Sequence, residues 1–124
     1  MTDYYILFVD DEPRILQAFE RQLRKRFSIS TAESAEEALK ILRDDGPCAV
    51  IVSDMWMPGM DGITLLTRVK NLYPDTVRIM LTAHTDQKAA IEAVNCGLIF
   101  RFLTKPIRPE ALTSLLDLAI GQYR

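Results

Sequence analysis

Short apolar runs alternate with amphipathic stretches five times along the chain. Each run is rich in branched or aromatic residues and is only five or six residues long, which is typical of strands rather than helices. The third run is apolar at consecutive positions, as in a strand that is covered on both faces. The predicted strands are residues 4–9, 27–31, 48–53, 77–81 and 99–103.

The stretches that follow these runs carry helix signals. Pro13 suits a first helical turn, where its missing N–H costs nothing, and Ser34 with Glu37 forms a capping-box pair. Apolar residues then recur at intervals of three and four positions, which predicts a helix after each strand. The fourth helix is expected at 87–95, with Gly97 ending it.

Strand and helix alternating five times predict a parallel sheet with helices on both faces. Crossovers in such sheets are right-handed, and a closed barrel would need eight units. The expected fold class is therefore α/β, with an open, doubly wound, five-stranded sheet flanked by five helices. Ligands of such sheets bind at the carboxyl ends of the strands, so candidate site residues are expected at that edge.

Composition narrows the class of protein. The 124 residues suffice for one domain, predicted at 1–124. Fifteen Lys and Arg against seventeen Asp and Glu give a net charge of −2, which excludes a basic nucleic-acid-binding domain. The longest apolar stretch, residues 48–52, is too short to span a bilayer, and residues 1–3 show no charged-then-apolar pattern, so we expect no secretion leader. Two cysteines cannot form a disulfide framework, so we expect a cytoplasmic protein. Because of the net charge and the short apolar stretch, we also expect no direct contact with nucleic acid or membrane.

Five polar residues stand at the ends of the predicted strands. Asp10 and Asp11 follow the first strand, Asp54 the third, Thr82 the fourth and Lys105 the fifth. Carboxylates that converge on one edge repel each other, so a hard divalent cation is expected there, and Mg²⁺ suits an all-oxygen site. A carboxylate can also attack phosphorus and form an acyl phosphate. Lys105 and Thr82 could each bind an oxygen of the transferred group.

Four motifs in this order resemble the receiver domain of two-component response regulators. They read FVDD at residues 8–11, DMWMPGMDG at 54–62, LTA at 81–83 and TKP at 104–106. The resemblance covers essentially the whole chain. It implies a flavodoxin-like sheet with strand order 2-1-3-4-5. It also implies a phosphorylation-dependent signalling switch, a phosphoacceptor rather than an enzyme.

The resemblance implies a role for each carboxylate. Asp54 matches the phosphoacceptor and also contacts Mg²⁺, Asp11 matches the direct Mg²⁺ ligand, and Asp10 matches its neighbour, which acts through water. Trp56, two residues beyond the phosphoacceptor, would supply a backbone carbonyl to the ion. Trp56 is bulky for its position, and we hypothesise that it flanks the entrance with His84 and limits attacking water.

The resemblance also implies a set of switch residues. Thr82 matches the hydroxyl that moves on phosphorylation, and Lys105 matches the lysine that pairs with the phosphoryl group. Phe102 matches the aromatic residue that rotates inward when Thr82 moves. The peptide bond between Lys105 and Pro106 is expected to be cis, although few X-Pro bonds are.

The same resemblance implies the partners. A histidine kinase or a phosphotransfer protein would supply the phosphoryl group, which would change a face built from the fourth helix, the fifth strand and the closing helix. That face would contact an effector domain or partner protein. A homodimer formed on phosphorylation is a further possibility that the resemblance implies. The sequence of residues 100–106 is similar to that found in receivers attached to HD-type phosphodiesterases of cyclic dinucleotides.

Three other functions fit parts of the pattern. An aspartate-nucleophile phosphatase also uses a strand-end Asp and Mg²⁺, but it needs a second acid where this chain has Trp56. A nucleotide-binding module would need a glycine-rich phosphate loop, and neither GxGxxG nor GxxxxGKS/T occurs. A receiver that has abandoned phosphorylation is the third alternative, and the intact set of acids, Thr82 and Lys105 argues against it.

Overall fold

The computed structural model describes residues 4–124 and contains one five-stranded sheet. The strands are β1 (Ile6–Val9), β2 (Ile29–Ala32), β3 (Val50–Asp54), β4 (Val77–Thr82) and β5 (Arg101–Thr104). Their order across the sheet is β2-β1-β3-β4-β5, and every neighbouring pair is parallel. The predicted fold class and strand order are confirmed.

Five helices cover the two faces of this sheet. They are α1 (Pro13–Leu23), α2 (Ala35–Asp45), α3 (Gly62–Leu72), α4 (Gln87–Asn95) and α5 (Pro109–Tyr123). Successive strand residues point to opposite faces, so the core has two halves. In one half Phe8 packs with residues of α1 and α5 such as Leu116, and in the other Leu7 packs with residues of α2, α3 and α4 such as Leu66. No helix within residues 4–124 is long and apolar enough to cross a membrane.

Short polar motifs determine where two of the helices begin. The Ser34 hydroxyl accepts the Glu37 N–H at 3.1 Å, as predicted for the cap of α2. The carboxylate of Glu37 reaches back to the N–H of Glu33 rather than to that of Ser34, so the reciprocal bond of the capping box is displaced by one residue. Asp61 caps α3 by accepting the Thr64 N–H at 2.8 Å.

Four strands begin later than the apolar runs that predict them. Phe27 donates its N–H to the carbonyl of Leu23 and so belongs to the turn that ends α1, which delays β2. Ile99 likewise donates to Ala93 in the turn after α4, which delays β5. Apolar runs therefore indicate segments that pack into the core, and these segments include residues that precede the strand itself. The pattern also does not predict the 3₁₀ turn His84–Asp86 that precedes α4.

Two backbone expectations are confirmed. Gly97 has a φ of 79°, the left-handed region that favours glycine, and it follows the end of α4. The peptide bond between Lys105 and Pro106 is cis. Both features lie in the connections that flank β5, on either side of the strand that leads to Lys105.

The start of α3 packs directly against the end of β3. Gly62 donates its N–H to the carbonyl of Met55 at 2.8 Å. A Cβ atom at Gly62 would lie 2.2 Å from the backbone oxygen of Asp54 and 3.0 Å from Cα of Met55. Only glycine allows this approach, so the position of α3 helps to fix the peptide that follows Asp54.

Gly62→Ala is therefore expected to lower the free energy of unfolding by about 1–3 kcal/mol. The added Cβ would clash with backbone atoms of Asp54 and Met55, which cannot move aside as a flexible side chain can. Urea denaturation measures this change. Gly121→Ala is the matched control, because open space surrounds its Cβ position within α5. The control should retain its stability or gain up to ~1 kcal/mol. A Gly62→Ala protein as stable as the wild type would show that the close approach is not a constraint.

Candidate functional site

The carboxyl ends of the strands bring the predicted site residues to one edge of the sheet. Asp10 and Asp11 directly follow β1, and Asp54 is the last residue of β3. Thr82 is the last residue of β4, and Lys105 directly follows β5. Four of the five strands therefore bring at least one of these polar residues to this edge.

Three carboxylates form a cluster at this edge. Oxygen atoms of Asp10, Asp11 and Asp54 all lie within 4.8 Å of one another. The ammonium Nζ of Lys105 lies 2.9 Å from Oδ1 of Asp54 and 3.8 Å from Oδ2 of Asp10. One cation thus faces three anions, and the cluster retains a net negative charge.

Asp10 is the most deeply buried member, with 1% of its surface exposed. Its Oδ1 accepts the Glu12 N–H at 2.9 Å, whereas its Oδ2 has no hydrogen-bond partner within residues 4–124. Burial raises the pKa of the Asp10 carboxyl, and the charges of Asp54 and Asp11 raise it further, against the Glu12 N–H and Lys105. A buried carboxylate oxygen without a donor is costly unless a cation reaches it.

Lys105 forms the main ion pair with Asp54. Burial by itself lowers the pKa of Lys105, but the hydrogen bond and charge of Asp54, followed by the charge of Asp10, outweigh burial and raise the pKa overall. Lys105 is therefore cationic at neutral pH. Oδ1 of Asp54 also accepts the Met55 N–H at 3.1 Å. Oδ2 of Asp54 accepts no hydrogen bond from residues 4–124, and it is not among the fully buried atoms.

Thr82 lies at the site without bonding to its carboxylates. The residue is fully buried. Its hydroxyl donates to the carbonyl of Ala83 at 3.2 Å and lies 3.8 Å from Sδ of Met55. Within the described part of the chain it makes no hydrogen bond to Asp54. Its hydroxyl must therefore reorient before it can contact a group attached to that carboxylate.

The other predicted residues lie around the cluster. Phe102 is half-buried and packs against the half of the core beneath α2, α3 and α4. His84 is exposed, and its Nδ1 lies 3.4 Å from Nε2 of Gln87. Trp56 is 58% exposed, and its indole N–H donates to Oδ2 of Asp86 at 3.1 Å.

Sequence reasoning missed Asp86 and Gln87. Asp86 ends the 3₁₀ turn after β4, and its bond to Trp56 joins that turn to the loop after β3. Gln87 is the first residue of α4 and donates to the hydroxyl of Thr104 at 2.9 Å, next to Lys105. Neither residue belongs to a motif, and only their contacts in the folded structure reveal them.

The cluster has the chemistry of a divalent-cation site. Its side-chain ligands are all oxygens, its net charge is negative, and the buried Oδ2 of Asp10 has no donor within residues 4–124. The backbone carbonyl of Trp56 also accepts no hydrogen bond from that part of the chain. Mg²⁺ prefers oxygen ligands and takes few of them from protein, so these residues fit it.

A family model described as the response regulator receiver domain matches residues 6–117. The chain belongs to that family. Receiver domains are phosphoacceptor switches of two-component signalling, bind Mg²⁺ at an acidic pocket, and act with histidine kinases and effector domains. The acidic cluster of this receiver is the corresponding feature of the structure.

Receivers similar to this one occur in proteins of several kinds. The DNA-binding transcriptional regulator NtrC of Klebsiella pneumoniae is 39% identical over 117 residues, which are 94% of this chain and 24% of that protein. A structure described as an adenylate cyclase from Rhodopirellula baltica has a TM-score of 0.95 and 38% identity, over 98% of this chain and 90% of that chain. The signal receiver domain of an HD domain-containing protein from Pseudomonas fluorescens Pf-5 has a TM-score of 0.90 and 34% identity, over 98% of both chains.

The last match confirms the predicted similarity to receivers of HD-domain proteins. The other two proteins are named for different functions, so similarity of the receiver does not select one output. This receiver spans about a quarter of the length of the curated relatives that it matches.

Asp10→Asn is expected to raise the melting temperature without divalent cations, because it removes one of three mutually repelling charges at almost constant size. The expected rise is several degrees, since ~1 kcal/mol shifts the melting temperature of a domain of this size by roughly 2–8 °C. Mg²⁺ should stabilise the wild type and stabilise Asp10→Asn much less. Thermal denaturation in a chelator and in Mg²⁺ measures both effects.

Asp75→Asn is the control for that comparison. Asp75 is exposed and precedes β4, so it lies at the opposite edge of the sheet. This substitution should leave both the melting temperature and its response to Mg²⁺ unchanged. A wild-type protein whose melting temperature does not respond to Mg²⁺ would contradict the assignment of a cation site.

Proposed function

We propose that Asp54 accepts a phosphoryl group from the phosphohistidine of a histidine kinase or phosphotransfer protein. The observation that supports this choice is the ion pair of Asp54 with Lys105 at 2.9 Å, beside the carboxylates of Asp10 and Asp11. The side chain of Asp54 is 13% exposed, so a donor can reach it, whereas that of Asp10 is 1% exposed. Asp11 is exposed but forms no ion pair within residues 4–124.

In the proposed transfer, an oxygen of Asp54 attacks the phosphorus atom. An O–P bond forms while the P–N bond to the donor imidazole breaks, and the electron pair of that bond leaves with the imidazole nitrogen. We assign the attack to Oδ2, because Oδ1 is held by Lys105 and by the Met55 N–H. Lys105 then exchanges its bond to Asp54 for one to a phosphoryl oxygen, where its charge offsets the negative charge of the transferred group.

We assign Mg²⁺ to the acidic cluster. Asp11, Asp54 and the Trp56 carbonyl are the proposed direct ligands, and Asp10 is proposed to act through water. When bound, the ion supplies positive charge next to the phosphoryl oxygens. The donor-free Oδ2 of Asp10 and the Trp56 carbonyl, which accepts no hydrogen bond from residues 4–124, support this assignment.

We propose that Thr82 and Phe102 transmit the phosphorylated state. To bond a phosphoryl oxygen, the Thr82 hydroxyl must leave the carbonyl of Ala83. The space that Thr82 vacates would be filled by Phe102 turning inward. The face of α4, β5 and α5 would then bind an effector domain, a partner protein or a second copy of the receiver. Ile91 on α4 and Leu118 on α5 are exposed apolar residues, which supports an interaction through these two helices.

We further propose that residues 1–124 form one receiver domain that works in the cytoplasm without direct nucleic-acid or membrane contact. The net charge of −2 supports the lack of nucleic-acid binding. Two free cysteines, of which Cys48 is buried, support a reducing compartment. The output of the switch is then supplied by a separate domain or protein.

The wild type should gain one phosphoryl group from acetyl phosphate with Mg²⁺, and Asp54→Asn should gain none, because it lacks the nucleophilic carboxylate. Intact mass measures both. Asp75→Asn, whose carboxylate is exposed at the opposite edge, should be labelled like the wild type. Small donors differ in reactivity, so the measurement is repeated with a phosphorylated cognate kinase. An unlabelled wild type in both assays, or a labelled Asp54→Asn, would refute the assignment.

We propose that Trp56 and His84 slow autodephosphorylation by limiting the approach of water to the phosphoryl group. Trp56→Ala and His84→Ala are then each expected to shorten the half-life of the phosphorylated protein by about threefold, equivalent to ~0.6 kcal/mol of barrier. Decay of the phosphorylated intact mass after removal of the donor gives the half-life. Unchanged half-lives in both variants would rule out this role.

A further inference from the structure

We infer that Asp86 is a positioning residue for the proposed cation ligand Trp56, an inference that rests on the proposed function. Oδ2 of Asp86 accepts the indole N–H of Trp56 at 3.1 Å. Trp56 lies in the loop after β3, and Asp86 lies in the 3₁₀ turn after β4. The bond therefore joins two loops at the edge where Asp54 and Thr82 end their strands.

The Trp56 peptide has few other restraints. Its neighbour Met55 is fixed on both sides, because its N–H donates to Leu81 at 3.1 Å and its carbonyl accepts the Gly62 N–H at 2.8 Å. By contrast, neither the N–H nor the carbonyl of Trp56 makes a hydrogen bond within residues 4–124. The residue is also 58% exposed, so packing restrains it weakly. Within that part of the chain, its bond to Asp86 is the polar contact that restrains it.

This side-chain bond bears on the backbone carbonyl. The indole and the carbonyl are carried by the same residue, so holding the indole limits the rotations that would turn the carbonyl away from the acidic cluster. The acceptor is a carboxylate, and a hydrogen bond to a charged group is stronger than one to a neutral group. Residues that hold metal ligands in place typically change metal affinity by about 10–100-fold, and we expect a change of about tenfold here.

The negative charge of Asp86 could by itself attract a cation, and this effect must be separated from positioning. Asp86→Asn removes the charge but keeps an oxygen that can accept the indole N–H. Asp86→Ala removes both. Trp56→Phe leaves the charge in place and keeps an aromatic ring, but it removes the N–H donor. These three variants distinguish a bond that positions Trp56 from a general effect of charge.

Calorimetric titration with Mg²⁺ tests the inference. Asp86→Ala and Trp56→Phe should each raise the Mg²⁺ dissociation constant by about tenfold, while Asp86→Asn, which keeps a neutral oxygen acceptor for the indole N–H, should raise it less. The double variant Asp86→Ala/Trp56→Phe should be no weaker than either single variant, because both substitutions remove the same bond. Asp75→Ala, at the opposite edge, should bind like the wild type.

Three results would overturn the inference: wild-type affinity in Asp86→Ala, affinity in Asp86→Asn as weak as in Asp86→Ala, or additive losses in the double variant. Melting temperatures in a chelator confirm that each variant is folded. If Asp86→Ala does not fold, the Mg²⁺ affinity of Trp56→Phe tests the inference, and wild-type affinity in that variant would overturn it. Labelling of the wild type by acetyl phosphate is measured in the same preparation. An unlabelled wild type counts against the proposed function, whereas labelling with unchanged affinities in the variants refutes only the role of Asp86.

Discussion

Electrostatic repulsion among three carboxylates at one edge of the sheet is the constraint on which the site depends. Asp10, Asp11 and Asp54 converge there, and Lys105 is the one ammonium group within residues 4–124 that contacts them. The chain tolerates this cluster because β1 and β3 are adjacent, hydrogen-bonded strands with apolar core on both faces. The packing of the core thus stabilises a site that costs stability until a cation neutralises it.

The same constraint explains how a change at one carboxylate can reach the protein surface. A phosphoryl group on Asp54 adds negative charge, and the groups that can respond are the ammonium of Lys105 and the hydroxyl of Thr82. Thr82 ends β4 and leads into the turn before α4. Lys105 follows Thr104, whose hydroxyl is bonded to Gln87 at the start of α4. Both responding groups are therefore connected to the same end of α4.

Much of the fold and of the acidic cluster could be predicted from the sequence. Apolar runs locate the strands. Because the strands are parallel, Asp54 and Lys105 lie at one edge of the sheet regardless of the conformation of the loops that follow them. The strand starts could not be predicted, because a residue such as Ile99 is apolar and buried yet belongs to a turn. The orientation of the Thr82 hydroxyl depends on a side-chain torsion, and the role of Asp86 depends on contact between two loops. Neither leaves a periodic pattern in the sequence.

The most direct test is a crystal structure of the protein with Mg²⁺ and beryllofluoride, which mimics a phosphoryl group on a carboxylate. We predict beryllium bonded to Asp54, with Nζ of Lys105 moved from the carboxylate to a fluoride. The Thr82 hydroxyl should leave the carbonyl of Ala83 and bond to another fluoride. Beryllofluoride bound away from Asp54, or a complex in which Thr82 still donates to Ala83, would contradict the proposed switch.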